Sequence, residues 1–322
     1  MKPIFKITAD NKDITDLINE YFISLSLTDD VGITSDTCTI SINNPDGKIK
    51  TPRKGVELTV SIGFEETALI PKGIYVVDEV TAEGFPEKIK ITARSANLRK
   101  SLRSPKTKSW HNVTLGDIVK SIASKNGMSA KITPELEPEY IEHIDQTEES
   151  DIHFLTRLAA DRDTAVKPHG HTMLFLRKSK SESASGKNLP AIYINKKDIE
   201  SYSCTLADRE PCSAVIASYY DKQEAKLVDV TAGSGEPVYR IRNQFSTKEE
   251  AEKYAVSKLK SLSRKKGELS LSFEGNPEVA AEFPINVSGM TDEINGSWTI
   301  KKASHNLSKS SYKTSVDCEP LN

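Results

Sequence analysis

Six histidines and four cysteines are the residues with most scope for metal or nucleophile chemistry in this 322-residue chain. The best metal-type spacing is His169-Gly170-His171, because residues two apart on a strand share a face and can reach one ion. Asp151 and His153 lie nearby in sequence, but a helix and a loop intervene, so the pair reads as structural. His111, His143 and His305 have no partner at ligand spacing. The acidic pairs Asp29-Asp30, Glu148-Glu149 and Glu249-Glu250 are adjacent in sequence; neighbours on a strand point to opposite faces and do not share an acid/base site. Nucleophile-elbow, phosphate-loop, zinc-protease and dinucleotide signatures do not occur. Gly233-Ser234-Gly235 runs into Glu236-Pro237, which suits a hairpin turn. With no convergent set of groups, the expectation is no enzyme, no metal and no cofactor.

The cysteines, Cys38, Cys204, Cys212 and Cys318, form no C-x-x-C pair. Cys38 is in phase with Ile40 and Ile42, and Cys318 with Val316, so both read as small buried hydrophobes made in a reducing compartment. A formal charge of -2 argues against a chain whose main work is gripping phosphates. The clusters Arg99, Lys100, Arg103, Lys106, Lys108 and Arg264, Lys265, Lys266 read as solvated surface. No apolar run approaches the roughly 20 residues that span a bilayer, and Lys6 breaks any signal-like start.

The elements that would position any site fall into three blocks. Over about the first hundred residues apolar side chains alternate, as in Ile23, Leu25, Leu27 and Val56, Leu58, Val60, Ile62, the mark of half-buried strands. Asn44-Pro45-Asp46-Gly47 and Gly84-Phe85-Pro86 supply turns between them. The period then changes to that of a helix: Thr114 and Asp117 form a capping box ahead of Leu115, Ile118, Val119 and Ile122, with Gly127 as the stop. A second helix is expected at 151–162, opened by Ser150-Asp151. From 166 strands return, broken by a helix at about 247–265 that Ser246 to Glu249 would cap as a box. The polar run 179–186 reads as a surface tip dispensable for folding. Glu20 to Asp29 and Glu200 to Asp208 share a faint pattern of strand, acidic turn, strand.

These blocks predict a mainly β chain with α insertions (α+β): a first β-barrel at 1–102, a helical insert at 103–165 and a second β-barrel at 166–322. The insert, about 103–165, is read either as an attachment region, with a partner-binding role for its loop 130–142 testable by deletion, or as two helices packed on their own barrels.

Residues 144–159 resemble the Q-x-x-E-S-D-x-x-F-L-x-R-L-A motif of the phage late control D family of tail proteins, and of the hub-like part of VgrG spike proteins. Gln146, Glu149, Ser150, Asp151, Phe154, Leu155, Arg157 and Leu158 carry the match. Gly296-Ser297-Trp298, His305 and Tyr312-Lys313-Thr314 match the family's C-terminal pattern. Two departures stand out: Asp163-Thr164 where a Gly is usual, and Ala280 to Pro284, where a Gly is often found.

The resemblance implies two barrels similar to tail-tube subunits and a homotrimer whose six barrels reconcile a sixfold tube with a threefold spike. It implies a structural baseplate hub of a contractile tail or tail-like particle, synthesised in the bacterial host cytoplasm and then built into the virion tail baseplate. Implied partners are a tail tube or tube-initiator protein above, a separate spike chain below (no spike extension follows the last strand), the tape-measure protein and the baseplate wedge. Neither a membrane nor a specific nucleic-acid sequence is implied. Two other readings are a tail-associated cell-wall hydrolase, which lacks a catalytic set, and a DNA-binding late-gene regulator, which lacks a basic footprint.

Overall fold

The computed structural model describes residues 1–31, 36–45, 47, 49–95, 100–169, 172–177, 189–206, 212–221, 224–263 and 267–321. Its first block contains strands β1 (Pro3–Ala9), β2 (Lys12–Asp13), β3 (Phe22–Asp30), β4 (Thr37–Asn43), β5 (Glu57–Phe64), β6 (Ile70–Glu83) and β7 (Lys88–Ser95). Alternation sets their faces: in β5, Leu58, Val60 and Ile62 are buried while Glu57 and Thr59 are exposed. Between β2 and β3 lies a helix the sequence did not announce, α1 (Thr15–Tyr21), which has no side-chain N-cap and buries only Ile18.

The second block is not simply helical. It comprises α2 (Lys100–Arg103), β8 (Pro105–Thr114), α3 (Leu115–Lys125), β9 (Ser129–Ile132), β10 (Tyr140–Ser150), α4 (Asp151–Ala160), β11 (Thr164–His169) and β12 (Thr172–Arg177). The capping box of α3 forms as expected: the Asp117 N–H donates to Thr114 Oγ1 at 3.1 Å, and the Thr114 N–H to Asp117 Oδ2 at 3.0 Å. Strand β12 pairs with both β11 and β9, and Met173 and Phe175 enter one core with Ile122 and Leu155. The expected boundary at 165/166 therefore cuts through β11, and the insert runs to Arg177. Both helices pack on the insert's own strands, and the segment 130–142 contains most of β9, so its removal would dismantle a sheet.

The third block holds β13 (Ile192–Asn195), β14 (Ile199–Leu206), β15 (Ala214–Asp221), β16 (Lys226–Gly233), β17 (Val238–Phe245), α5 (Lys248–Ser263), β18 (Gly267–Glu274), β19 (Pro284–Ser288), β20 (Gly296–Ser308) and β21 (Tyr312–Pro320). Strands β15, β16 and β17 form a separate sheet that packs with α5 through Val215, Ala217, Ala251 and Ala255. The α5 cap sits one residue later than the expected box: the Glu250 N–H donates to Thr247 Oγ1 at 3.2 Å, and the Ser246 N–H to Glu250 Oε2 at 3.1 Å.

The strands of the first block and the remaining strands of the third join in one 13-stranded sheet, with β3 antiparallel to β20 at its centre. Two apolar cores flank this junction, and β20 and β21 enter both, with Leu307 and Tyr312 in the first and Ile300 and Val316 in the second. All of β1 and β3 to β7 contribute to the first core, which requires the sheet to curve around it. The two halves repeat one another in topology. The path β3-β4-β7-β6-β5-β1 and the path β14-β18-β21-β20-β19-β13 are the same permutation of chain order. A bulge at Phe22/Ser24 in β3 matches one at Ile199/Ser201 in β14, and Val77/Glu79 in β6 matches Ile300/Lys302 in β20. Gly73 (φ 120°) occupies the place of Gly296 (φ 128°), and Gly55 (φ 88°) that of Glu282 (φ 72°). One strand departs: β1 is antiparallel to β5, whereas β13 is parallel to β19. The faint sequence similarity between 20–29 and 200–208 falls on the equivalent strands β3 and β14.

Candidate assembly interface

The motif residues form a staple inside the insert. Gln146, almost fully buried, donates from Nε2 to the Glu149 carbonyl and to Asp151 Oδ1, both at 3.0 Å. Asp151 Oδ2 accepts from Lys106 Nζ of β8 at 2.5 Å. Ser150 caps α4 by accepting the His153 N–H at 3.3 Å, and the Asp151 carboxylate sits where the helix dipole favours an anion. Glu149 pairs with Arg157, whose Nη2 also donates to the Asp145 carbonyl at 2.7 Å. Phe154, Leu155 and Leu158 are fully buried. These eight residues all lie on β10 and α4. The structure brings them together, and their polar groups bond one another and neighbouring residues of the insert.

The C-terminal pattern residues lie elsewhere. Trp298 donates from Nε1 to the Ile294 carbonyl at 2.9 Å inside the second core. His305 and Tyr312 meet beside the β3–β20 junction. The Val279 carbonyl can only accept, so His305 Nε2 carries the proton that it takes at 3.0 Å, and Nδ1 accepts from Tyr312 Oη at 2.8 Å. Burial, reinforced by the Lys72 ammonium, lowers the imidazole to about 3. Tyr312 also reaches back to Phe64 of the first half, with ring centroids 5.3 Å apart.

A buried ionic cluster, unforeseen from the sequence, fastens the insert to the first half and the first half to the second. Lys167 of β11 donates to Asp29 of β3 and lies 3.3 Å from Asp36. Asp29 Oδ2 accepts the Ala281 N–H of the third block at 2.8 Å. Lys72 of β6 donates to the Val279 carbonyl at 2.9 Å. Burial opposes ionisation of Asp29, but the Lys167 ammonium outweighs it and holds the carboxyl below its ordinary value. Asp36 is raised to about 6 by burial and by the charge of Asp29, against the pull of Lys167. Burial works against the Lys167 charge, yet the two carboxylates lift it to about 12. Burial brings Lys72 down to about 8, opposed by Asp29. Asp29 and Asp30 remain unpaired as an acid/base site, as alternation requires.

The open surface is apolar in an unusual place. Tyr202 and Leu206 on β14 are 52% and 49% exposed, and Phe85 at the tip of the β6–β7 hairpin is 93% exposed. Gly170 and His171 and the tip 179–186 lie outside the described residues. Among the described residues no three His, Cys, Asp or Glu side chains could hold a metal ion. Nor, among them, is any helix long and apolar enough to cross a membrane. The usual Gly replaced by Asp163 is a left-handed position, φ 55°, and Glu282 in the other departing segment is at φ 72°. In both places the backbone conformation associated with Gly is kept without one.

A family model described as "Phage tail baseplate hub (GPD)" matches residues 77–311. The chain is 33% identical to the probable baseplate hub protein of Escherichia phage P2 over 361 residues, covering 99% of this chain and 93% of that protein. Its identity to the counterpart from Escherichia phage 186 is 30%, with the same coverage. Among solved structures, a 43 kDa tail protein of prophage MuSo2 from Shewanella oneidensis has the same fold (TM-score 0.72, 15% identity, 98% of each chain). A tail protein from Neisseria meningitidis MC58 aligns equally well (TM-score 0.72, 12% identity, 99% of this chain and 97% of that one). So, more loosely, does an Escherichia coli type VI secretion component described as similar to T4 tail proteins (TM-score 0.61, 11% identity, 98% of this chain and 77% of that one).

Proposed function

The chain belongs to the phage tail baseplate hub family, and from that premise we propose that three copies close into a ring in which each β half occupies one of six similar positions. Its role is structural: it is the hub of a contractile tail's baseplate, located in the virion, and not an enzyme. No similarity found supports the hydrolase or the regulator reading. The observation that carries the ring is the internal repeat: two halves with the same strand permutation, two matching bulges and two matching positive-φ positions. A chain with two like halves presents six similar edges to a sixfold tube and three identical sites to a threefold spike. Each half with its own core is the candidate tube-like barrel, with the insert held on the first half by Lys167 and the two halves joined through Asp29 and Ala281.

The ring's partners are a tube or tube-initiator protein on one face and a spike on the other, with the tape-measure protein and wedge as neighbours during assembly in the host cytoplasm. The near-zero net charge suits a channel that passes nucleic acid without holding it. Quantitative mass spectrometry of purified particles tests this reading. Three hub chains per particle are expected; six would mean that each chain supplies one ring position.

A further inference from the structure

The internal repeat leaves two strand edges unmatched. Strand β3 is covered on both sides, by β4 and by β20. Its equivalent β14 has β18 on one side and, among the described residues, no strand on the other. Conversely, β20 beyond its bulge pairs with both β21 and β3, whereas the equivalent stretch of β6 pairs with β7 alone. The resemblance extends to the backbone at the edge itself. In β20, Ile300 bonds the Phe283 carbonyl and the Glu282 N–H at 3.0 and 2.8 Å; in β6, Val77 bonds the Val56 carbonyl and the Gly55 N–H at 2.9 and 2.8 Å. After that point β20 receives β3, while β6 receives nothing among the described residues.

We infer that β14 of one copy adds to the open edge of β6 in a second copy, antiparallel and in the register of the internal β3–β20 junction. This rests on the ring reading and names the contact that builds the ring. The bulges fix the register, since Ser24 and Ser201 each follow one, as do Lys302 and Glu79. Within the chain, Asp29 faces Ala303, Thr28 faces Ser304, Leu27 faces His305 and Leu25 faces Leu307. The equivalent pairs place Leu206 opposite Val80 of the second copy, Thr205 opposite Thr81 and Cys204 opposite Ala82.

Exposure supports the same occupant. Leu25 and Leu307 are buried at the internal junction, while Tyr202 and Leu206 stand open on β14. An edge strand with bare apolar side chains invites pairing. The contact is heterologous, joining different edges of successive copies, so it closes only if the rotation between copies is that of a ring.

Cross-linking in assembled particles tests the register. Directly opposed residues in an antiparallel pair have Cα atoms about 4.5–5.5 Å apart, within reach of a disulfide. Ala82→Cys supplies a partner for the native Cys204; Thr81→Cys with Thr205→Cys samples the adjacent pair on the other face. Adjacent pairs alternate in hydrogen bonding, so the two variants sample both geometries. Under mild oxidation at least one should run as a covalently closed trimer on a non-reducing gel. Cys204→Ser in the Ala82→Cys background and Thr81→Cys alone should stay monomeric. Particles with three hub chains and no bond in either variant, or with a bond in Thr81→Cys alone, which faces the native Cys204 only if the register slips by one residue, would overturn this pairing and leave the ring standing. A copy number other than three would instead remove the ring.

Discussion

Lys167 and Asp29, 138 residues apart in sequence, form an ion pair that ties the insert to the first strand of the central junction. The same carboxylate takes the Ala281 N–H of the second half, so one side chain is bonded to two other blocks of the chain. Removing a partner from a buried pair leaves an uncompensated charge. Lys167→Met should strand Asp29 and Asp36 together and cost about 3–5 kcal/mol. Urea denaturation monitored by circular dichroism measures it; a loss under ~1 kcal/mol would show that the cluster is well hydrated.

Gly275 donates its N–H to the Tyr312 carbonyl at 2.8 Å, and a Cβ at this position would lie 2.1 Å from the Tyr312 ring. Gly275→Ala must displace Tyr312, and with it the hydrogen bond to His305. The expected loss is about 1–3 kcal/mol in thermal or chemical unfolding, whereas Gly55→Ala, which meets no atom within 4 Å, should show only the smaller backbone penalty of a positive φ.

His305 links stability to acidity. Its folded-state pKa lies near 3 against 6.5 for the free group, so between these values the unfolded chain binds a proton that the folded chain refuses. Stability from this group is fully present above about pH 6.5 and is lost as pH falls towards 3. His305→Gln should flatten the dependence by up to about 1.4 kcal/mol per pH unit below pH 6. Asp36 acts in the opposite sense between 3.8 and about 6, but it is present in both proteins and drops out of the comparison of urea midpoints from pH 7 to 4.5.

The strand alternation and the caps of α3 and α4 were legible because each is a local pattern: Thr114 and Asp117 are three residues apart, and Ser150 adjoins α4. α1 was not, having no capping side chain. Strand β12 was legible as a strand but not as part of the insert, since its second partner is four-residue β9, paired in parallel. The Asp29 clamp was hidden by chain distance, and Asp29-Asp30 offered no local hint of Lys167. The repeat is written in bulges and positive φ angles, which sequences this divergent express only through isolated residues such as Gly73 and Gly296.

Gln146 joins the end of β10 to the start of α4 by two hydrogen bonds. Gln146→Ala deprives the Glu149 carbonyl and Asp151 Oδ1 of their donor and should cost about 1–3 kcal/mol. Because the motif is internal to the insert, particles that form with this variant should keep the same hub copy number. A reduced copy number with unchanged stability would move the motif from folding to partner contact.

A cryo-EM reconstruction of the baseplate centre tests the hub mechanism most directly. It should show three copies of this chain as a ring of six β halves, with the β3–β20 junction alternating with β14–β6 junctions between copies. Six separate copies, or a ring to which each chain gives only one β half, would contradict it.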